Sequence, residues 1–404
     1  MEAAFAKEKL FTRSYMFMCL ANFLTAFSFF LLVPTLPFYL EERYGLEPDV
    51  VGLVLSCYVV AVLCIRPFAG FVADILPRKR VYVVSYLLFA LSFVGYLFVS
   101  GEMMMFILLR VVHGFAFGAL NTTGNTLVID IMPSSRRGEG LGYFGVTNNL
   151  AMAFGPMTGL FIIEGGNYNL LFLVALLVAC VGLLSAVLVK VKWRQPAAKA
   201  GKVLSVDRFI LLAGIPASLA FFMLAIPYGM TSSYIAKYAS EVGIISGAGL
   251  FFTVQGAGLI MSRLLSGKEV DKGRITQTIT KGIVIALAGV VGETLLALVC
   301  GWNFLVGYVL YFLSAFLIGY GFGTIFPAFN TLFINMAPND RRATANATYL
   351  TGWDVGIGAG MLLGGALSVD GYSGSFGFSA ILVIVALVYF VLYVAKHFHR
   401  HRLR

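Results

Sequence analysis

Apolar residues run along this chain in blocks of about twenty, parted by short polar breaks, and an α-helix needs about that length to cross a ~30 Å hydrocarbon core. Twelve such blocks fall near residues 15–40, 49–73, 81–99, 103–131, 140–163, 169–190, 208–234, 245–267, 276–300, 303–335, 343–366 and 375–396. None alternates with a period of two, as barrel strands would. A backbone in lipid must also satisfy its own hydrogen bonds, so helix is predicted throughout. The first block is too long for the apolar part of a signal peptide and is expected to stay in the mature protein.

One stretch reads as a linker between units: residues 192–207, KWRQPAAKAGKVLSVD, polar and basic with Pro196 and Gly201. It parts the blocks six and six. The expected organisation is an N-terminal six-helix bundle over 1–191, a cytoplasmic linker over 192–207 and a C-terminal six-helix bundle with a basic tail over 208–404. The two sides repeat one another. Asn125-Thr126-Leu127 returns as Asn330-Thr331-Leu332, Pro133 as Pro338, Arg136-Arg137 as Arg341-Arg342, Gly155 as Gly360 and Gly159 as Gly364, each 205 positions on. Arg66, Gly70 and Asp74 return as Arg263, Gly267 and Asp271 at an offset of 197. Turn chemistry repeated in order across two halves indicates a doubled unit.

Composition turns these helices into membrane spans. Hydrophobic residues make up 59% of the chain and charged residues 12%, with a mean hydropathy of +0.89; a water-soluble domain would expose large apolar patches at such values. The expected fold class is therefore an all-α polytopic membrane protein. With the first residues placed in the cytoplasm, 24 of the 29 Lys and Arg fall in inner segments and only Arg43 and Lys237 in outer loops. That asymmetry predicts a plasma (inner) membrane protein with both termini cytoplasmic. The net charge of +10 is then a topology signal: it calls for no nucleic acid and favours anionic lipid at the cytoplasmic face. Five cysteines lie inside the spans without metal-ligand spacing and read as packing residues. The tail carries His397, His399 and His401 among basic residues, a surface tract rather than a metal site. No metal, cofactor or nucleotide site is expected, and no enzyme chemistry.

The glycines recur four apart, as in Gly155 and Gly159 or Gly356, Gly360 and Gly364, stripes that let helix backbones approach closely in lipid. Over nearly the whole chain the pattern resembles the major facilitator superfamily. Its loop signature G-x-x-x-D-R-x-G-R-[KR] appears after span 2 as Gly70 to Arg80, GFVADILPRKR, without its first Arg and second Gly. Its span-4 signature R-x-x-[QH]-G appears as Arg110 to Gly114, RVVHG. The sequence Gly155-Pro156-Met157-Thr158-Gly159 is similar to the G-P-x-x-G signature of the drug:proton antiporter branch, with Ala151 where a glycine is usual. The resemblance implies two pseudo-symmetric six-helix bundles of a secondary transporter, expected as a monomer, rocking about a midplane small-molecule site.

Roles follow from that frame. The resemblance brings Gly70 and Asp74 against the start of span 11, where a carboxylate gains from free N–H donors and from Arg341 and Arg342. Arg78 can reach Asp130, and Asp271 is the repeat partner beside span 5. Together these residues form an expected latch that closes the inner side. Asp354 lies about 16 Å into span 11 at ~1.5 Å per residue, near the midplane, with no Lys or Arg within a turn of it on its own helix. It is the first candidate for proton coupling, with Arg110 and His113 beside it in role. Depth permits Arg110 to approach Asp354, to hold backbone carbonyls or to bind an anion. Glu293 is expected at the outer interface.

The family arrangement of spans 1, 4, 7 and 10 around a cavity makes substrate contacts of Asn22, Thr25, Asn121, Asn125, Tyr228, Thr231, Tyr234, Tyr308 and Tyr311, with Tyr58, Asn148, Asn149, Gln255 and Trp353 on flanking spans. Thirty-six Phe and 14 Met favour an amphipathic or aromatic ligand over a sugar. The expected function is proton-coupled export of hydrophobic or amphipathic small molecules. The alternatives are a transporter of a polar metabolite or sugar, and a receptor or channel, although no filter-like loop or ring of like charge is present.

Overall fold

A computed structural model describes residues 9–403 apart from 100, 134–135, 192–209, 246, 339–340 and 370; at 74, 138, 264, 266–268, 271, 342 and 343 it describes the backbone only. The described residues are helical with no strand. Helices α1 (Arg13–Leu32), α2 (Leu36–Tyr44), α3 (Pro48–Ile75), α4 (Arg78–Phe98), α5 (Met103–Ile131), α6 (Arg137–Ile163) and α7 (Tyr168–Leu188) form the first half. Helices α8 (Ile215–Glu241), α9 (Leu250–Asp271), α10 (Ile275–Trp302), α11 (Phe304–Met336), α12 (Arg342–Ala366) and α13 (Tyr372–Tyr389) form the second, and a π turn at 390–394 leads into α14 (Ala395–His401). Among the described residues ten of them are long and apolar enough to cross a membrane, against twelve spans read from the sequence. The other two long helices, α9 and α12, pack across the halves, against α6 and α3.

The helix ends follow local chemistry. Thr12, Asn167 and Asn303 accept from the third N–H of α1, α7 and α11 through their side chains, a cap typically worth about 1 kcal/mol. Proline opens α2, α3 and α8, where a missing donor costs nothing. The single first span expected over 15–40 is in fact two helices. Val33–Thr35 break it, because Pro34 has no N–H to continue the ladder and Pro37 starts a new helix. Span 7 likewise begins at Ile215 rather than 208, after a 3-10 turn at Leu212–Gly214.

Within each half the glycine stripes bring backbones together. A Cβ at Gly159 would overlap the Leu31 carbonyl oxygen of α1, and one at Gly360 the Ile226 carbonyl oxygen of α8. The repeat-related glycines thus do the same work on α6 and α12, as small-residue packing in lipid requires. Cys64 and Cys180 are exposed on outward faces, and only Cys19 is a buried packing residue.

The halves meet along two helix pairs, α3 with α12 and α6 with α9. Both ends of the helical region lie on one face, hereafter the near face: Ser14 donates to the Lys190 carbonyl, and Leu403 N–H to that of Asn335. Toward the far face the pairs are tight. A Cβ at Gly365 would overlap the Pro48 carbonyl oxygen, one at Gly358 would press on Val59, and one at Gly256 would overlap Ala153. Lys237 of α8 adds an ion pair to Glu41 of α2 and lies 4.4 Å from the Phe38 ring.

Candidate substrate and ion site

Followed toward the near face, each pair ends its contacts among the described residues at an arginine. Along α3–α12 the meetings run from Gly52 with Gly365, through Val59 with Gly358, to an ion pair between Arg66 and Asp354. Along α6–α9 they run from Met157 with Gly249, through Ala153 with Gly256, to Arg263, which donates to Asn149 Oδ1 at 3.2 Å. Beyond these two bridges the halves part. A Cβ at Gly70, Gly142 or Gly145 would meet nothing within 4 Å. The bridges therefore form the roof of a hollow open to the near face.

Asp354, expected from the sequence near the midplane, lies halfway along α12 with a partner that the sequence does not supply. Arg66, one helix turn before Gly70, reaches it across 288 positions of chain; both side chains keep about a fifth of their surface open, 21% and 22%. Arg110 does not approach Asp354. It is buried at 2% exposure, with its guanidinium carbon 4.5 Å from the Tyr58 ring centroid. His113 is wholly buried beside it, its Nδ1 3.1 Å from the Tyr96 hydroxyl and its ring wrapped by Tyr58, Phe89 and Phe93. These groups belong to the interior of the first half, stacked behind Tyr58, which lies within electrostatic reach of Arg66, Arg110 and Asp354.

Four expected substrate contacts come together. Asn22, Thr25, Asn121 and Asn148 line a small recess with Tyr82, Phe117 and Leu120. Asn22 donates to Thr147 Oγ1 at 2.9 Å, and the exposed Asn125 to Asn121 Oδ1 at 2.9 Å. In the second half, half-buried Trp353 stands against Phe326, Tyr228 and Phe221 at centroid distances of 4.5, 5.0 and 5.2 Å. Gln255 is buried with its amide nitrogen unpartnered.

Other candidates face elsewhere. Tyr234 donates to the Met361 carbonyl and packs on Gly364, Tyr311 donates to the Ala248 carbonyl, and Tyr308 packs edge-on against Phe312 and at a tilt against Phe304. Thr231 points between helices of the second half, donating to Glu293 Oε2 at 2.9 Å. Glu293 is consequently not interfacial: it is 1% exposed, inside the bundle. Hydropathy cannot tell which face of a helix carries its one acid, and here that face points inward.

Of the expected latch, Arg78 forks to both Asp130 oxygens at 2.9 Å within the first half. Arg341 is exposed at the start of α12. The side chains of Asp74, Asp271 and Arg342 lie outside the described residues. The close approach expected at Gly70 is absent in this arrangement and occurs instead at Gly52 and Gly365, since the near face is the open one. Gly155 abuts Phe30 of α1 as Gly159 abuts Leu31, and Pro156 sits between them inside α6. His397 contacts the Ala213 carbonyl and His401 that of His397; among the described residues no metal-ligand cluster occurs.

The family model of the Major Facilitator Superfamily matches residues 18–313 and 283–403. The chain belongs to this superfamily. It is 25% identical to the quinolone resistance protein NorA of Staphylococcus aureus, over 83% of this chain and 85% of NorA. It is 26% identical to the MFS-type transporter YhhS of Shigella flexneri, over 91% and 89%. Among solved structures, the nucleoside transporter NupG superposes with a TM-score of 0.76 at 14% identity, covering 94% of this chain and 99% of NupG. A POT family transporter bound to a peptide conjugate gives 0.78 at 14% identity, covering 95% and 96%. These likenesses establish a multi-pass membrane transporter fold, and their differing substrates leave the cargo to the residues of the site.

Proposed function

We propose that this protein is a proton-coupled exporter of hydrophobic or amphipathic small molecules in the plasma membrane, working by alternating access with both termini cytoplasmic. The observation that carries the reading is the Arg66–Asp354 bridge, an acid from one half held by a base from the other where the halves part. A carboxylate at that depth is costly to leave charged and unpaired. Protonating Asp354 releases Arg66 and loosens this seam; deprotonation restores the bridge. Proton occupancy is thereby coupled to the angle between the halves. The charge asymmetry favours a cytoplasmic near face, and on that orientation this arrangement is the inward-open state.

The drive suffices. One charge crossing 100 mV releases ~2.3 kcal/mol, equivalent to roughly 40-fold accumulation at ~1.4 kcal/mol per decade. Arg78 with Asp130, and Asp74 against the start of α12, would then close the inner side in the opposite state. NorA, by its name a quinolone resistance protein, supports an aromatic amphipathic cargo, as does the wall of Trp353, Tyr228 and Phe326.

The test is uptake into proteoliposomes under an imposed pH step, in the wild type and in Asp354→Asn. The expected result is loss of pH-driven transport in the variant with substrate binding retained. Undiminished pH-driven transport in Asp354→Asn removes this residue from the mechanism.

A further inference from the structure

The two bridges at the roof of the hollow are copies of one another. The offset of 197 carries Arg66 to Arg263, and the offset of 205 carries Asn149 to Asp354. Each half therefore lends an arginine to the other half's α6 or α12, but one arginine meets an acid and its copy meets an amide. Arg66 is neutralised. Arg263 is not: Asn149 Oδ1 is its only hydrogen-bond acceptor among the described residues, its Nε is buried without a partner, and the titratable groups within its electrostatic reach are Tyr228 of α8 and Tyr349 of α12.

Among the described residues Arg110 is also without an acid, but it is sealed inside the first half at 2% exposure. Arg263 keeps partial exposure where the halves diverge. It thus places an uncompensated guanidinium at the hollow, one residue contact away from the aromatic wall through Tyr228, whose ring lies 5.0 Å from that of Trp353.

We propose that Arg263, beside Asn149, is the binding site for a carboxylate on the transported molecule, so that the cargo is an aromatic or amphipathic organic anion. A guanidinium fork fits a carboxylate in bidentate fashion, and such charge-assisted bonds are the strong ones. Desolvation at the seam raises the cost of leaving the arginine unpaired. The carboxylate takes the position that the acid holds in the other bridge, while the aromatic body lies along Trp353, Tyr228 and Phe326. Asn149 keeps the site empty of fixed negative charge, which is what makes it available.

This inference rests on the central hollow being the substrate site but not on proton coupling, so it is tested without a gradient. Purified full-length protein in detergent is titrated calorimetrically with 2-naphthoate, with its cationic isostere 2-naphthylmethylammonium, and with acetate. The wild type binds naphthoate about tenfold or more tightly than the ammonium ion, and acetate too weakly to measure, because it lacks the ring. Asn149→Asp, which rebuilds the other bridge in this one, and Arg263→Gln each weaken naphthoate by about tenfold or more, whereas Arg263→Lys keeps the preference for the anion. Should Arg263→Gln fail to fold, Asn149→Asp and Arg263→Lys carry the comparison. No naphthoate binding to the wild type, equal affinity for the two naphthyl ions, or unchanged naphthoate affinity in Asn149→Asp overturns the assignment. Loss of pH-driven uptake in Asp354→Asn leaves it untouched.

Discussion

The α3–α12 and α6–α9 seams were made from one template and have been given different chemistry at one position. Both are glycine-tight toward the far face and both end at an arginine, Arg66 or Arg263. The first arginine is held by Asp354 and the second by Asn149. A single missing charge separates an internal ion pair from an arginine with a charge to spare. On the reading proposed above, duplication supplies the rocking symmetry, and divergence at this pair divides the work between ion and cargo.

The strongest way to break the comparison is to make the seams alike. Asp354→Asn gives both an amide, and pH-driven transport in proteoliposomes is expected to fall about a hundredfold or more, with naphthoate still bound. Next in size is the tight end that both seams share. Gly365→Val forces side-chain atoms onto the Pro48 carbonyl and Gly52, and overpacking of this kind costs about 1–3 kcal/mol. It should shift the population away from far-face closure, raising roughly tenfold the reactivity of a cysteine placed at Val59, which is buried here against Gly358.

Lys237→Met removes the partner of Glu41 on the far face. A partly exposed pair contributes about 0–1 kcal/mol, so the same cysteine should react a few-fold faster at most. Smallest of all, Gly70→Ala places its methyl in open space in this state and should leave the melting temperature within a degree or two. Its effect should appear only in the near-closed state, as slower turnover. A melting temperature lowered by several degrees would show that α3 and α12 already touch there.

Much of this architecture was legible in the chain. Block length, the Lys and Arg asymmetry and the repeated turn residues led to the helical membrane fold and the superfamily, because each follows from local composition and lipid physics. Asp354 stood out for the same reason, a charge at depth. Its partner did not, since nothing local ties Arg66 to a residue 288 positions away. The repeat offsets did hold the signal: applied to Asp354 rather than to the glycines around it, the offset of 205 points to Asn149 and so to the unequal bridges. Glu293 and Thr231 were misplaced because span periodicity was weak, and the inward face of an almost uniformly apolar helix cannot be read from hydropathy. The break at Val33–Thr35 is legible in Pro34 and Pro37, the first lacking the donor that would continue one helix and the second suited to the first turn of the next.

The most direct test of the account is to measure both faces at once. Spin labels at Arg80 and Arg341 report the near face, and labels at Arg43 and Ile245 the far face; all four are exposed. Pulsed dipolar distances are then recorded across a pH series that protonates the Arg66–Asp354 bridge. The account predicts reciprocal change, the near-face distance shortening by several ångströms as the far-face distance lengthens, and no such change in Asp354→Asn. Distances that stay fixed across the series, or that lengthen together, would contradict a transporter built from two halves rocking about a shared hollow.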